Sequence, residues 1–84
     1  MELEQALAIA KKVYGYEGDF LEVKAYDTGD CFIVFGKTSP EPVIGGYGIL
    51  INKETGMSER FKLPSAKNFK ILESATEIKI NGGN

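Results

Sequence analysis

The chain of 84 residues is 43% apolar and 26% charged, a balance that excludes a disordered or fibrous chain and leaves material for one core. A single Cys31 and no histidine remove the internal disulfide or histidine-held metal that often staples small domains. Ten basic against twelve acidic residues give a net charge of −2, which argues against generic affinity for nucleic acid, where clustered bases must displace counterions.

Residues 2–14 have helical periodicity. Leu3, Ala6, Leu7, Ala10, Val13 and Tyr14 form one apolar stripe, spaced at three and four. Glu2 and Glu4 open the helix and Lys11 and Lys12 close it, the order the helix dipole favours. Gly15 is expected to end it as a left-handed cap.

From Phe20 the period falls to two. Leu21, Val23 and Ala25 alternate with Glu22, Lys24 and Tyr26, which marks a half-buried strand. Asp27-Thr28-Gly29-Asp30 reads as a turn, Gly29 supplying a positive φ. CFIVF at 31–35 is apolar throughout, so this strand requires cover on both faces or a central place. The first hairpin is therefore 20–26 paired with 31–37.

KTSPEPVI at 37–44 holds Pro40 and Pro42, which cannot donate to a ladder, so the chain leaves the sheet there. YGILIN at 47–52 and MSERFKL at 57–63 make a second hairpin, with Gly56 in the left-handed position of its turn. Pro64 stops that strand. Ser65 caps a second helix whose apolar stripe is Phe69, Leu72 and Ala75, with Ile71 off it. Residues 76–80 form at most a short extended segment.

This order predicts an α+β fold over 1–80: an N-terminal helix, a four-stranded, mainly antiparallel sheet of two hairpins, and a C-terminal helix. Residues 81–84 read as a frayed tail.

The stretch GGYGILINKETG at 45–56 looks like a phosphate loop until its context is weighed. Such loops open helices, whereas this one runs into an apolar strand with no Lys-Ser or Lys-Thr following. Its glycines read as architectural: Gly45 and Gly46 for re-entry to the sheet, Gly48 for close approach by a bulky neighbour such as Phe35 or Tyr14.

Catalytic groups are few. Cys31 has no histidine to ionise it and sits where a small core residue fits. Asp19, Asp27 and Asp30 would supply a metal-dependent enzyme with oxygen ligands, yet aspartates in turns ordinarily bond the local backbone. No catalytic residue, cofactor or metal ligand is therefore expected.

The candidate partner-binding residues are Tyr16, Tyr26 and Tyr47, with Pro40, Glu41 and Val43 from the proline loop. Tyrosine combines an apolar body with a polar tip, a composition enriched at interfaces, and loops hold function on rigid scaffolds. Tyr26, beside Glu22 and Lys24, is expected on the polar face of its strand, either exposed or in cross-strand packing.

Taken with VYGY, YDTGDCFIVFG and LPSAKNFKILESA, the GGYGILINKETG stretch resembles the small bacterial YrhB-like domains grouped with immunity proteins of toxin systems. The resemblance implies a cytoplasmic, non-catalytic protein that neutralises a cognate toxin by binding it. The Asn52–Gly56 turn is also similar to that of PepSY-type domains, which implies an inhibitory or regulatory domain, usually exported or membrane-attached. Against export, the opening MELEQALAIAKK is acidic where a secretory leader is basic, and no run approaches the about 18 apolar residues that cross a bilayer.

Three expectations follow: a protein partner, neither nucleic acid nor membrane; self-association through an open sheet edge as the alternative; and, less favoured, carboxylate-based enzymology. Residues 1–41 carry a net −4 and residues 42–84 a net +2, an asymmetry able to orient a partner.

Overall fold

The computed structural model describes residues 1–18, 20–37, 47–63 and 65–79. Helix α1 (Leu3–Tyr14) precedes strands β1 (Glu22–Asp27), β2 (Cys31–Lys37), β3 (Tyr47–Asn52) and β4 (Ser58–Lys62), then helix α2 (Ala66–Ser74) and strand β5 (Thr76–Ile78). The sheet is antiparallel in the order β4-β3-β2-β1-β5. It has five strands rather than the expected four. The extra one is the extended segment after α2, which becomes a strand by pairing Ile78 with Ala25 and Thr76 with Asp27.

Helix α1 starts at a capping box, in which the Glu2 N–H donates to Gln5 Oε1 at 2.8 Å while the Glu2 side chain accepts from the N3 backbone N–H. Two otherwise unmet groups of the first turn are satisfied that way. It ends as expected at Gly15, whose φ of 70° lets the Gly15 and Tyr16 N–H groups reach the last carbonyls. Ala6 and Ala10 are fully buried, and their small size brings the helix close to the sheet. Val13, read as part of the stripe, is instead exposed, and Ile9 packs against the core.

The apolar β2 takes the central place its composition requires. Phe32 and Val34 join Ala25, Ile49 and Ile51 in the cluster under α1. Ile33, pointing to the opposite face, is wholly buried too, as is Phe61 on β4, so both faces are covered. On that far face the Phe35 ring lies edge-on to Tyr26 and to Phe61, at centroid distances of 6.0 and 6.1 Å. A Cβ at Gly48 would stand 2.8 Å from the Phe35 ring, which is the close approach anticipated for that glycine. Tyr26 is half-buried by this packing and is not a freely exposed aromatic.

Helix α2 carries the chain from β4 at one edge to β5 at the other. Ser65 caps it, its hydroxyl accepting from the Asn68 N–H at 3.3 Å. The stripe predicted for it is rotated. Phe69 is 47% exposed, whereas Asn68, Ile71, Leu72 and Ala75 are half-buried, a spacing of three, four and seven. The Asn68 side-chain amide donates to the Lys62 carbonyl at 2.7 Å, and this tie turns the Asn68–Ile71–Leu72 side inward and Phe69 out. No helix among the described residues is long and apolar enough to cross a membrane.

Both hairpin turns use glycine at positive φ, Gly29 at 101° and Gly56 at 75°. In the second, the Gly56 N–H closes the turn on the Asn52 carbonyl at 2.8 Å, and Asn52 Oδ1 accepts from the Glu54 and Thr55 N–H groups. The two turns are also joined, since the Lys53 N–H donates to the Asp30 carbonyl and Lys53 Nζ lies 2.6 Å from Asp27 Oδ1 and 4.6 Å from the centre of the Phe32 ring.

The hydrogen bond from Lys53, then that from the Gly29 N–H, holds the Asp27 carboxyl below its ordinary value of 3.8. A group depressed on folding stabilises the fold above its unfolded pKa and loses that contribution as pH falls through the folded value. Asp27→Asn is therefore expected to leave the melting temperature nearly unchanged at pH 7, an exposed pair contributing about 0–1 kcal/mol, and to flatten part of its fall below about pH 4. Melting curves from pH 2 to 7 test this; parallel profiles for the two proteins would refute it.

Candidate functional site

Where α1 ends, the Gly15 cap turns the chain so that Tyr14, Tyr16 and Phe20 gather over the ends of β2 and β3. Tyr16 stacks on Phe20 at 6.2 Å, Phe20 meets Tyr14 edge-on at 5.8 Å, and Tyr14 stacks on Tyr47 at 5.5 Å. The Arg60 guanidinium lies over the outer ring, 4.8 Å from the centre of Tyr47, and Lys11 Nζ lies 5.8 Å from the centre of Phe20. The result is a continuous line of four half-buried rings flanked by two cations. Gly36 makes room for it, because a Cβ there would overlap the Phe20 ring.

The Tyr14 hydroxyl anchors this assembly in the sheet. The paired register of β2 and β3 runs from Cys31 opposite Asn52 to Val34 opposite Ile49, so the next hydrogen-bonded rung would join Gly36 to Tyr47. The phenol occupies that rung. It donates to the Tyr47 carbonyl at 2.7 Å and accepts from the Gly36 N–H at 3.4 Å. Burial raises its pKa above 10.0, against the opposing pull of the Gly36 bond, so at neutral pH it is a proton donor.

Of the residues singled out from sequence, Tyr16 and Tyr47 fall on this line of rings, linked through Phe20 and Tyr14. Tyr26 does not; it packs against Phe35 on the face away from α1. Pro40, Glu41 and Val43 lie outside the described residues, as do Gly45 and Gly46. Three contributors were not among the candidate contact residues: Tyr14, read as part of the helix stripe and as a neighbour of Gly48, Phe20, and Arg60, which lies in the otherwise polar strand MSERFKL. The signal for the first two was the aromatic spacing of VYGYEGDF around a glycine cap.

Among the described residues the candidate carboxylates do not assemble. Asp27 is held by Lys53 and Gly29, Asp30 is exposed, and Asp19 lies outside the described residues. No group of three or more potential metal-binding side chains occurs among the described residues. Cys31 is half-buried at the start of β2; its N–H donates to Thr28 Oγ1 at 3.0 Å and its carbonyl accepts from the Thr28 N–H at 3.0 Å.

The fold and this surface define a small α+β domain with an antiparallel sheet and a tyrosine-rich rim. No family model, curated protein or solved structure matches the chain.

Proposed function

We propose that this protein is a non-catalytic protein-binding module, and that the line of rings from Tyr16 to Tyr47, with Arg60 over its end, is its contact surface. The observation supporting this is the preorganisation of the rings: Tyr14 is bonded to the sheet, and the other rings stack from it, so little side-chain freedom remains to be lost on binding. Tyrosine and arginine are the residue types in which interface energy concentrates. The resemblance to bacterial immunity domains gives the reading its specific form, a cytoplasmic protein that neutralises a cognate toxin by occupying it.

The test begins with cross-linking of the tagged full chain in the cells that produce it, followed by identification of the attached protein and titration of that protein by calorimetry. Tyr16→Ala, at the outer end of the stack, is expected to weaken binding at least tenfold while leaving the far-ultraviolet spectrum unchanged. If the partner is a toxin, co-expression of the wild-type chain restores growth and the variant does so poorly. Unaltered affinity on losing the Tyr16 ring would refute the assignment of this surface.

A further inference from the structure

Strand β4 ends the sheet on the same side as Tyr47 and Arg60. In the ladder with β3 the Asn52 N–H donates to the Met57 carbonyl at 2.9 Å, so Met57, Glu59 and Phe61 turn their backbone groups inward. Ser58, Arg60 and Lys62 then turn theirs outward. The outward Lys62 carbonyl accepts from the Asn68 side chain. Among the described residues no hydrogen bond is made to the outward N–H and C=O of Ser58 or Arg60, and both residues are exposed. An edge of this kind is a template for an added strand.

Charge decides which strand fits. A second copy would add antiparallel about an axis normal to the sheet, placing opposed residues on one face. Centred on Glu59 that pairing sets Glu59 against its own copy, centred on Arg60 it sets two arginines together, and centred on Phe61 it opposes Arg60 to Lys62. Like charges directly opposite destabilise each of these three registers. An unlike strand meets the reverse condition, because Arg60 and Lys62 are two residues apart on the α1 face, where they oppose Ile49 and Tyr47. Residues 60–70 hold Arg60, Lys62, Lys67 and Lys70 and no carboxylate.

We infer that the outer edge of β4 takes up an extended segment of another protein as an added strand, with carboxylates at alternate positions facing Arg60 and Lys62. The inference rests on the protein-binding reading and supplies the chemistry of its partner.

The probe is a blocked eight-residue peptide alternating valine with glutamate, titrated into the isotope-labelled full chain. Amide signals of Ser58 and Arg60 are expected to shift and the Arg60 amide to exchange at least tenfold more slowly when bound. The Arg60→Glu/Lys62→Glu double variant is expected to bind at least tenfold more weakly and to accept a valine–lysine peptide instead. As a check independent of the variant's folding, alternate N-methylation of the valine–glutamate peptide abolishes binding to the wild-type chain. Four results would each overturn strand addition: an Arg60 amide already protected in the isolated monomer, a dimer sealed through β4, wild-type binding of both peptides alike, or no response at residues 58–62. A response confined to Tyr16 and Tyr47 also sinks it while leaving the binding-module reading intact; that reading fails separately, through the Tyr16→Ala titration.

Discussion

Replacing Ile33 with alanine is expected to destabilise the fold by about 2–5 kcal/mol, the range for removing a large aliphatic side chain from a packed interior. Ile33 is fully buried at the middle of the central strand, opposite Tyr26 on β1 and Leu50 on β3. A domain of this size has about 4–13 kcal/mol in total, so the loss is a large fraction of the whole. The melting temperature should fall by about 10–30 °C. Met57→Ala, at a side chain 74% exposed, should stay within about 0.5 kcal/mol of the parent. Urea denaturation of both variants is the measurement; an Ile33→Ala loss below about 1 kcal/mol would mean that the far face of the sheet is not a packed interior.

The second large effect is expected from Tyr14→Phe, which keeps the ring and deletes one oxygen. The Tyr47 carbonyl and the Gly36 N–H then lose their shared partner. Leaving part-buried backbone groups unpaired costs about 1–2 kcal/mol, or about 5–15 °C in melting temperature for a domain of this length. Amide exchange separates this from a simple packing loss, since Gly36 should exchange faster while the Ile49 and Ile51 amides keep their protection relative to global stability. Because the phenol is raised above 10.0, its contribution is whole below that pH and fades as the pH climbs through the folded value. The phenylalanine variant should lack that alkaline dependence.

Local rules carried the sequence reading furthest where one residue type answers one geometric need. Gly15 and Gly56 stand at positive φ, Ser65 caps α2, and the uninterrupted CFIVF run occupies the middle of the sheet. Gly48 admits the Phe35 ring because two neighbouring strands are in register. The reading failed where a residue's role is set by a distant element. Thr76–Ile78 has too few residues to declare a strand by pattern, and it exists by virtue of the outward edge of β1. Phe69 follows helical spacing faithfully, but the Asn68 bond to Lys62 chooses which face of α2 turns inward. Of the candidate surface, Tyr16 and Tyr47 were identified because tyrosine is informative by type. Arg60 was not, since its place over Tyr47 depends on the β3–β4 register.

The phenol of Tyr14 acts as punctuation for a sheet to which it does not itself belong. By occupying the Gly36–Tyr47 rung it ends the β2–β3 ladder from outside. The point at which these two strands part is thereby tied to the packing of α1 on the apolar cluster beneath it, so a change that lifts the end of the helix also loosens that end of the sheet.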